Sequence, residues 1–213
     1  MNMDRKRKIT LSILISVVVI ISGFAGALIL NHYLRNDDLP YDDTPPVLVF
    51  PVENINSLEM IYGYNMTVPE DGHNGIDFIT NMTTNIIASC NMTVNDKSLN
   101  YNEIGEFWQA GISCDVNDAY ELFYAFENFS ENETAGIEQL DAITVEIGQE
   151  VIAGEIIGQL IYAGSGTHIH YMLHKNGEAV CPYLYFSPTA KSTFDTLWPH
   201  IGTGVDPCNI TLS

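Results

Sequence analysis

The sequence predicts an all-β domain, a mostly antiparallel β-sandwich or curled sheet, standing behind one N-terminal transmembrane helix. Three observations predict it. Residues 9–30 run 22 positions without a charge. Beyond residue 46 the chain breaks into short segments rich in Ile, Val, Phe and Tyr with glycines between them. No segment in that part keeps a 3.6-residue apolar period, which leaves strands as the main way to bury its apolar residues.

The elements follow in order. Residues 1–8 carry Arg5, Lys6, Arg7 and Lys8, a basic cluster that stays in the cytoplasm and sends the rest of the chain out. At about 1.5 Å per residue, a helix over 9–30 spans a hydrocarbon core of roughly 30 Å. Ala25-Gly26-Ala27 has the form a signal peptidase accepts, but the apolar run continues through Leu28, Ile29 and Leu30. An uncleaved signal anchor is therefore expected: a single-pass protein of the cell membrane with its C-terminal domain outside. Residues 31–46, with Asp37-Asp38, Asp42-Asp43 and Pro45-Pro46, read as a polar stalk. The domain is 47–213. Strands are expected at 47–51, 85–90, 121–126, 142–147, 150–160 and 167–174, and 95–118 reads as an insertion or long loop.

From residue 36 onward there are 26 Asp or Glu against Lys97, Lys175 and Lys191, a net charge of −23 with histidines neutral. Such a surface repels phosphate backbones, which excludes nucleic acid as a partner. Cys90, Cys114, Cys181 and Cys208 all lie in the exported part and predict two disulfides. Of the three pairings, Cys90 with Cys114 and Cys181 with Cys208 is expected. Asn65, Asn81, Asn91, Asn128, Asn132 and Asn209 each open an N-x-S/T sequon. From 18 asparagines and 27 serines or threonines, about two would arise by chance, so the excess predicts a glycoprotein.

Two motifs carry chemistry. His73-Asn74-Gly75-Ile76-Asp77 sets a histidine four residues before an aspartate, and Thr167-His168-Ile169-His170 is a His-x-His pair. Side chains two apart on a strand leave the same face, so His168 and His170 point into one pocket. One of these imidazoles with His73 and Asp77 makes an N/N/O ligand set with a fourth position open, the signature of catalytic rather than structural zinc.

These motifs resemble the lysostaphin/LytM-type zinc metallopeptidases, whose fold is the duplicated hybrid motif. His73 to Asp77 is similar to that family's H-x-G-x-D element. Gly148-Gln149-Glu150-Val151-Ile152-Ala153-Gly154-Glu155-Ile156-Ile157-Gly158 is similar to its G-x-x-V-x-x-G-x-x-I-G strand pair, and 167–170 to its H-L-H-F strand. His174-Lys175-Asn176-Gly177 and Pro182-Tyr183-Leu184 match its usual ending. The resemblance spans about residues 51–188. It implies that His73, Asp77 and His170 bind zinc and that His168 is catalytic, activating water or stabilising the oxyanion. It also implies a peptide or peptidoglycan-like substrate.

Two departures stand out. The family places a further catalytic histidine in a Y-A-H-L stretch, where this chain reads Phe123-Tyr124-Ala125-Phe126-Glu127, with Phe126 at that position. The carboxylate that follows H-L-H-F is replaced by Met172. Losing a proton-transfer group costs about 10²–10⁴-fold in rate. The expected function is therefore a weakened zinc metalloendopeptidase, and the alternative is a zinc-containing surface protein that binds peptide or glycan without cutting. Glu127 and His200 are candidate replacements; His174, about 13 Å along the strand from His170, is too far for the metal. Tyr62, Tyr64, Tyr101, Tyr120 and Tyr124 are either groove lining or ordinary packing. A lipoyl-like carrier, which shares the glycine-valine pattern, is excluded because no lysine lies in the hairpin.

Overall fold

The structure is a computed structural model describing residues 40–65, 72–103, 105–203 and 206–208. It divides into two units, Met1–Tyr41 and Asp42–Ser213, and every strand and helix named here belongs to the second. The expected membrane helix at 9–30 lies outside the described residues. Among those described, no helix is long and apolar enough to cross a membrane.

Alternation builds the main sheet. In β9 (His168–Lys175), Ile169, Tyr171 and Leu173 are fully buried, so His168, His170, Met172 and His174 share the opposite face. The same pattern holds in β2 (Ile76–Thr80), where Ile76, Phe78 and Thr80 are buried and Asp77 faces the other way. In β6 (Tyr120–Glu127), Leu122, Tyr124 and Phe126 fill the core side, which leaves Phe123, Ala125 and Glu127 beside the histidines.

Among the described residues, nine strands form one sheet. Its order is β11 (Gly202–Thr203), β1 (Leu58–Tyr62), β2, β9, β6, β5 (Phe107–Asp115), β4 (Met92–Asn102) and β7 (Glu150–Val151), with β10 (Glu178–Val180) pairing β9. All of these pairs are antiparallel except β1 with β11. A second sheet of β3 (Thr84–Ile87) and β8 (Ile156–Leu160) buries Ile86, Ile157 and Leu160 in the same core. An aromatic cluster lies at its centre, with Phe50 and Phe78 ring centroids 5.2 Å apart and Tyr124 and Tyr171 also 5.2 Å apart. The all-β, mostly antiparallel expectation holds for this unit.

Several expectations change. Residues 95–118 are no loop: β4 and β5 pair from Thr93 with Asp115 to Asn102 with Phe107. Their polar composition misled because one face of an antiparallel sheet can be solvated, so Asp96, Ser98 and Asn100 suit a strand. The stretch 150–160 is two strands split by a turn at Gly154, whose φ of 91° favours glycine. Residues 142–147 form one bridge, Ile143 with Gly158, rather than a strand. Two helices were missed, α1 (Glu133–Asp141) and α2 (Pro188–Ile201). Both carry side-chain caps, Asn132 accepting from Thr134 N and Ser187 accepting from Ala190 N. The end of the stalk is already tied down, since Asp118 Oδ2 accepts from Asp42 N at 2.8 Å.

The Cys181–Cys208 disulfide forms as expected, with Cα atoms 5.7 Å apart. Cys90 and Cys114 do not pair; both are free and buried, and burial pushes each thiol up to about 12. Of the sequons, Asn81, Asn91 and Asn132 are exposed and Asn128 is buried. Asn209 lies outside the described residues.

Candidate metal centre and active site

The centre is assembled by strand register. β2 pairs β9 with Asp77 opposite His170 and Ile79 opposite His168, so both motifs meet at the middle of the sheet. His73 arrives from the segment before β2, bridged to Asn65 by paired backbone hydrogen bonds. Gly75 makes the approach close: a Cβ there would sit 2.7 Å from the Tyr171 carbonyl and 2.8 Å from His170 Cε1.

His73 Nε2, Asp77 Oδ1 and His170 Nδ1 form a triangle with edges of 3.1, 2.6 and 3.2 Å. Zinc ligands at about 2.0–2.2 Å put tetrahedral donor atoms about 3.3 Å apart. Two edges match that spacing, and the third is short because Nδ1 and Oδ1 are in hydrogen-bond contact.

The outer nitrogens fix the tautomers. His73 Nδ1 donates to the Gly63 carbonyl at 2.8 Å, and His170 Nε2 donates to Asn74 Oδ1 at 3.0 Å. Each ring therefore turns a lone pair inwards, toward the other and toward a carboxylate oxygen. Three electron-rich atoms facing one another require a cation or protons between them, and the second contacts are those that orient metal-bound histidines. The residues present fit zinc. Burial would raise the Asp77 carboxyl, but hydrogen bonds from His170 and His73 and the charge of His168 hold it well below the usual carboxylate range. For His73, burial lowers and Asp77 raises, and Asp77 prevails.

His168 stands beside the triangle, with Nδ1 donating to Gly166 O at 2.8 Å and Nε2 3.6 Å from Asp77 Oδ1. The histidine expected to be missing at Phe126 is missing, and the phenylalanine does not fill its place. Phe126 is fully buried on the core side and pairs with Ile169, so it does not face the centre. Glu127, one residue on, pairs with His168. Its Oε2 lies 3.3 Å from His168 Nε2, and Gln109 donates to its Oε1. Burial raises the Glu127 carboxyl, opposed by His168 and His170. A groove of about 250 Å³ starts beside His170, at Ala125 and Met172, and crosses the sheet over Gly111, Gln109, Ser98 and Asn100.

A match to the model of peptidase family M23 covers residues 71–182. That span is 112 of 213 residues, more than half, and it holds His73, Asp77, His170 and His168. The chain belongs to peptidase family M23. Its members' metal-dependent peptidase chemistry accords with the ligand set, and the lysostaphin/LytM-type resemblance is this same family.

A search of the curated proteins finds no match. Among solved structures, the M23 chain is similar to Csd3 from Helicobacter pylori at 19% identity and a TM-score of 0.47, covering 69% of this chain and 36% of that one. It is also similar to a zinc-containing peptidase from Vibrio cholerae, at 21% identity and 0.47, covering 64% and 39%. The lysostaphin catalytic domain from Staphylococcus simulans shares 21% at 0.41, covering 58% and 88%. The chain thus spans well under half the length of the first two, and the assignment to M23 rests on the family match, not on these scores.

All four predicted site residues of this M23 domain meet. His174 packs on Phe123 with ring centroids 4.5 Å apart, and His200 is exposed in the last turn of α2. Of the tyrosines, Tyr120 and Tyr124 are core. Tyr101 pairs with Trp108, and Tyr64 donates to Ala179 O. Tyr62 alone of the five has its ring against His73, 4.9 Å between centroids. The sequence missed Asn74 and Gln109 but offered Glu127 as a neighbour of Phe126, and the β6–β9 register sets it opposite His168.

Proposed function

We propose that the chain is a zinc metalloendopeptidase, held at the cell membrane by residues 9–30, that hydrolyses peptide bonds in extracellular or cell-wall-type peptides. The observation that carries this reading is the triangle of His73, Asp77 and His170, whose outer hydrogen bonds leave all three inner atoms as lone-pair donors. Zinc bound there supplies a polarised carbonyl and a water whose pKa falls towards about 7.

The chain's own groups do the rest. The Asp77 carboxylate offsets part of the cation's charge. His168, with Nδ1 committed to Gly166 O, presents Nε2 to accept the proton of the attacking water and return it to the leaving amine as the C–N bond breaks. Gly111, Ala125 and Ser98 line the groove beside Phe123 and Met172 and leave room for an extended peptide, such as a glycine-containing crosslink. The rival reading, binding without catalysis, draws its support from the histidine missing at Phe126; His168, which a mere zinc-holder does not require, favours the peptidase.

Zinc content and cleavage of glycine-containing crosslink peptides test this, with His168→Ala as the comparison. The expected result is one zinc in both proteins and a rate about 10²–10⁴-fold lower in the variant. Bound zinc with no cleavage above the variant overturns the peptidase reading in favour of the binding one.

A further inference from the structure

Glu127 is a carboxylate in a position where a side chain needs a reason to be charged. It ends β6 with 8% of its surface exposed, and its partner His168 is 6% exposed. A carboxylate buried that far is costly unless its oxygens are matched. Oε1 accepts from Gln109 Nε2, and Oε2 lies 3.3 Å from His168 Nε2, placed to accept from that nitrogen once it has taken up a proton.

Among the described residues, the His168 ring is otherwise held at its far side, by Nδ1 donating to Gly166 O and by the Phe129 ring at a centroid distance of 5.2 Å. Asp77 Oδ1 lies 3.6 Å from Nε2, but His170 and His73 already occupy it at 2.6 and 3.1 Å. Glu127 is therefore the side chain free to fix where Nε2 points. It is not itself a member of the ligand cluster, whose atoms all lie within 4.8 Å of one another.

We propose that Glu127, braced by Gln109, is a positioning residue that holds His168 Nε2 at the edge of the metal centre, in a site that lacks the family's further histidine and where Phe126 turns into the core. The inference rests on the peptidase reading above. It says that this site is complete in its own way: a carboxylate on the last residue of β6 does the orienting, and the catalytic group remains His168. The register makes this specific, because Ala125 and Glu127 are the two β6 residues opposite His170 and His168, and Ala125 has no polar group to offer.

The test uses the zinc-loaded full chain with Glu127→Leu, Glu127→Gln and His168→Ala. Leucine fills the site without a polar group, and glutamine keeps a hydrogen-bonding group there. The expected result for Glu127→Leu is a kcat about 10²-fold lower, with KM, zinc stoichiometry and Tm unchanged, and Glu127→Gln recovers part of the loss. An unchanged kcat in Glu127→Leu, or a loss that tracks Tm and is not rescued by glutamine, overturns the proposal. If the wild type cleaves no peptide, the peptidase reading fails separately, and crystal structures of the zinc-loaded wild type and Glu127→Leu still decide the positioning. The His168 ring turning away from Asp77 in the variant supports it, and an unmoved ring contradicts it.

Discussion

His170 is held at both ring nitrogens, by Asp77 on one side and Asn74 on the other, and the Asn74 contact decides which nitrogen is free for a metal. Asn74→Ala should therefore weaken zinc affinity about 10–100-fold, measured by competition with a chelator, while Tm of the metal-free protein moves little. His73 gives a pH dependence. Its folded value is raised above the ordinary 6.5 in the metal-free protein, so protons compete with zinc starting at a higher pH than usual. In the metal-free state the sign is the reverse: a raised histidine contributes stability that is full below 6.5 and lost as pH rises through the folded value. The zinc-induced rise in Tm should therefore be larger at pH 8 than at pH 6, and an equal rise at both would count against His73 as a ligand. The three candidate ligands were legible because H-x-G-x-D and H-x-H are local patterns. Glu127 was named only as a neighbour of Phe126; its contact with His168 was not legible, because it comes from pairing with a strand 41 residues away.

At the scale of elements, β2 and β9 must lie close enough for Asp77 to reach His170, and Gly75 keeps the entry to β2 clear. Gly75→Ala puts a methyl against the Tyr171 carbonyl and the His170 ring. That overpacking should cost about 1–3 kcal/mol, read as a lowered midpoint in urea, together with weaker zinc binding. In α2, Ala190 and Phe194 are buried, and the Phe194 ring stacks near Trp198 at 5.4 Å. The spacing of four residues is a helical stripe that a search for longer apolar periods passes over, which is why α2 was missed. Strands such as β9 were legible because Ile169, Tyr171 and Leu173 alternate with His168, His170, Met172 and His174. The β4–β5 hairpin was hidden because its outer face is polar, and 142–147 read as a strand although its apolar residues, Ile143 and Val145, bury from irregular backbone.

For the whole molecule, the Cys181–Cys208 bridge ties the C-terminal segment down beside the site: Pro207 O accepts from Tyr64 N at 2.9 Å, next to the Gly63 carbonyl that orients His73. Closing a loop with a sequence separation of 27 is worth about 3–4 kcal/mol on chain-entropy grounds. Cys181→Ser with Cys208→Ser should lower stability by about that amount and weaken zinc binding as well. The buried thiols of Cys90 and Cys114 should resist a thiol reagent at pH 8 until the protein unfolds. The proposed anchor predicts that the full chain sediments with membranes and that a chain beginning at residue 31 does not. Everything functional turns on two imidazoles and one carboxylate sharing a single ion, and zinc-edge X-ray absorption of the zinc-loaded full chain tests that directly. The predicted result is one zinc per chain with only nitrogen and oxygen neighbours at about 2.0–2.2 Å, a signal lost in His170→Ala; sulfur at about 2.3 Å, or zinc retained unchanged in that variant, would contradict it.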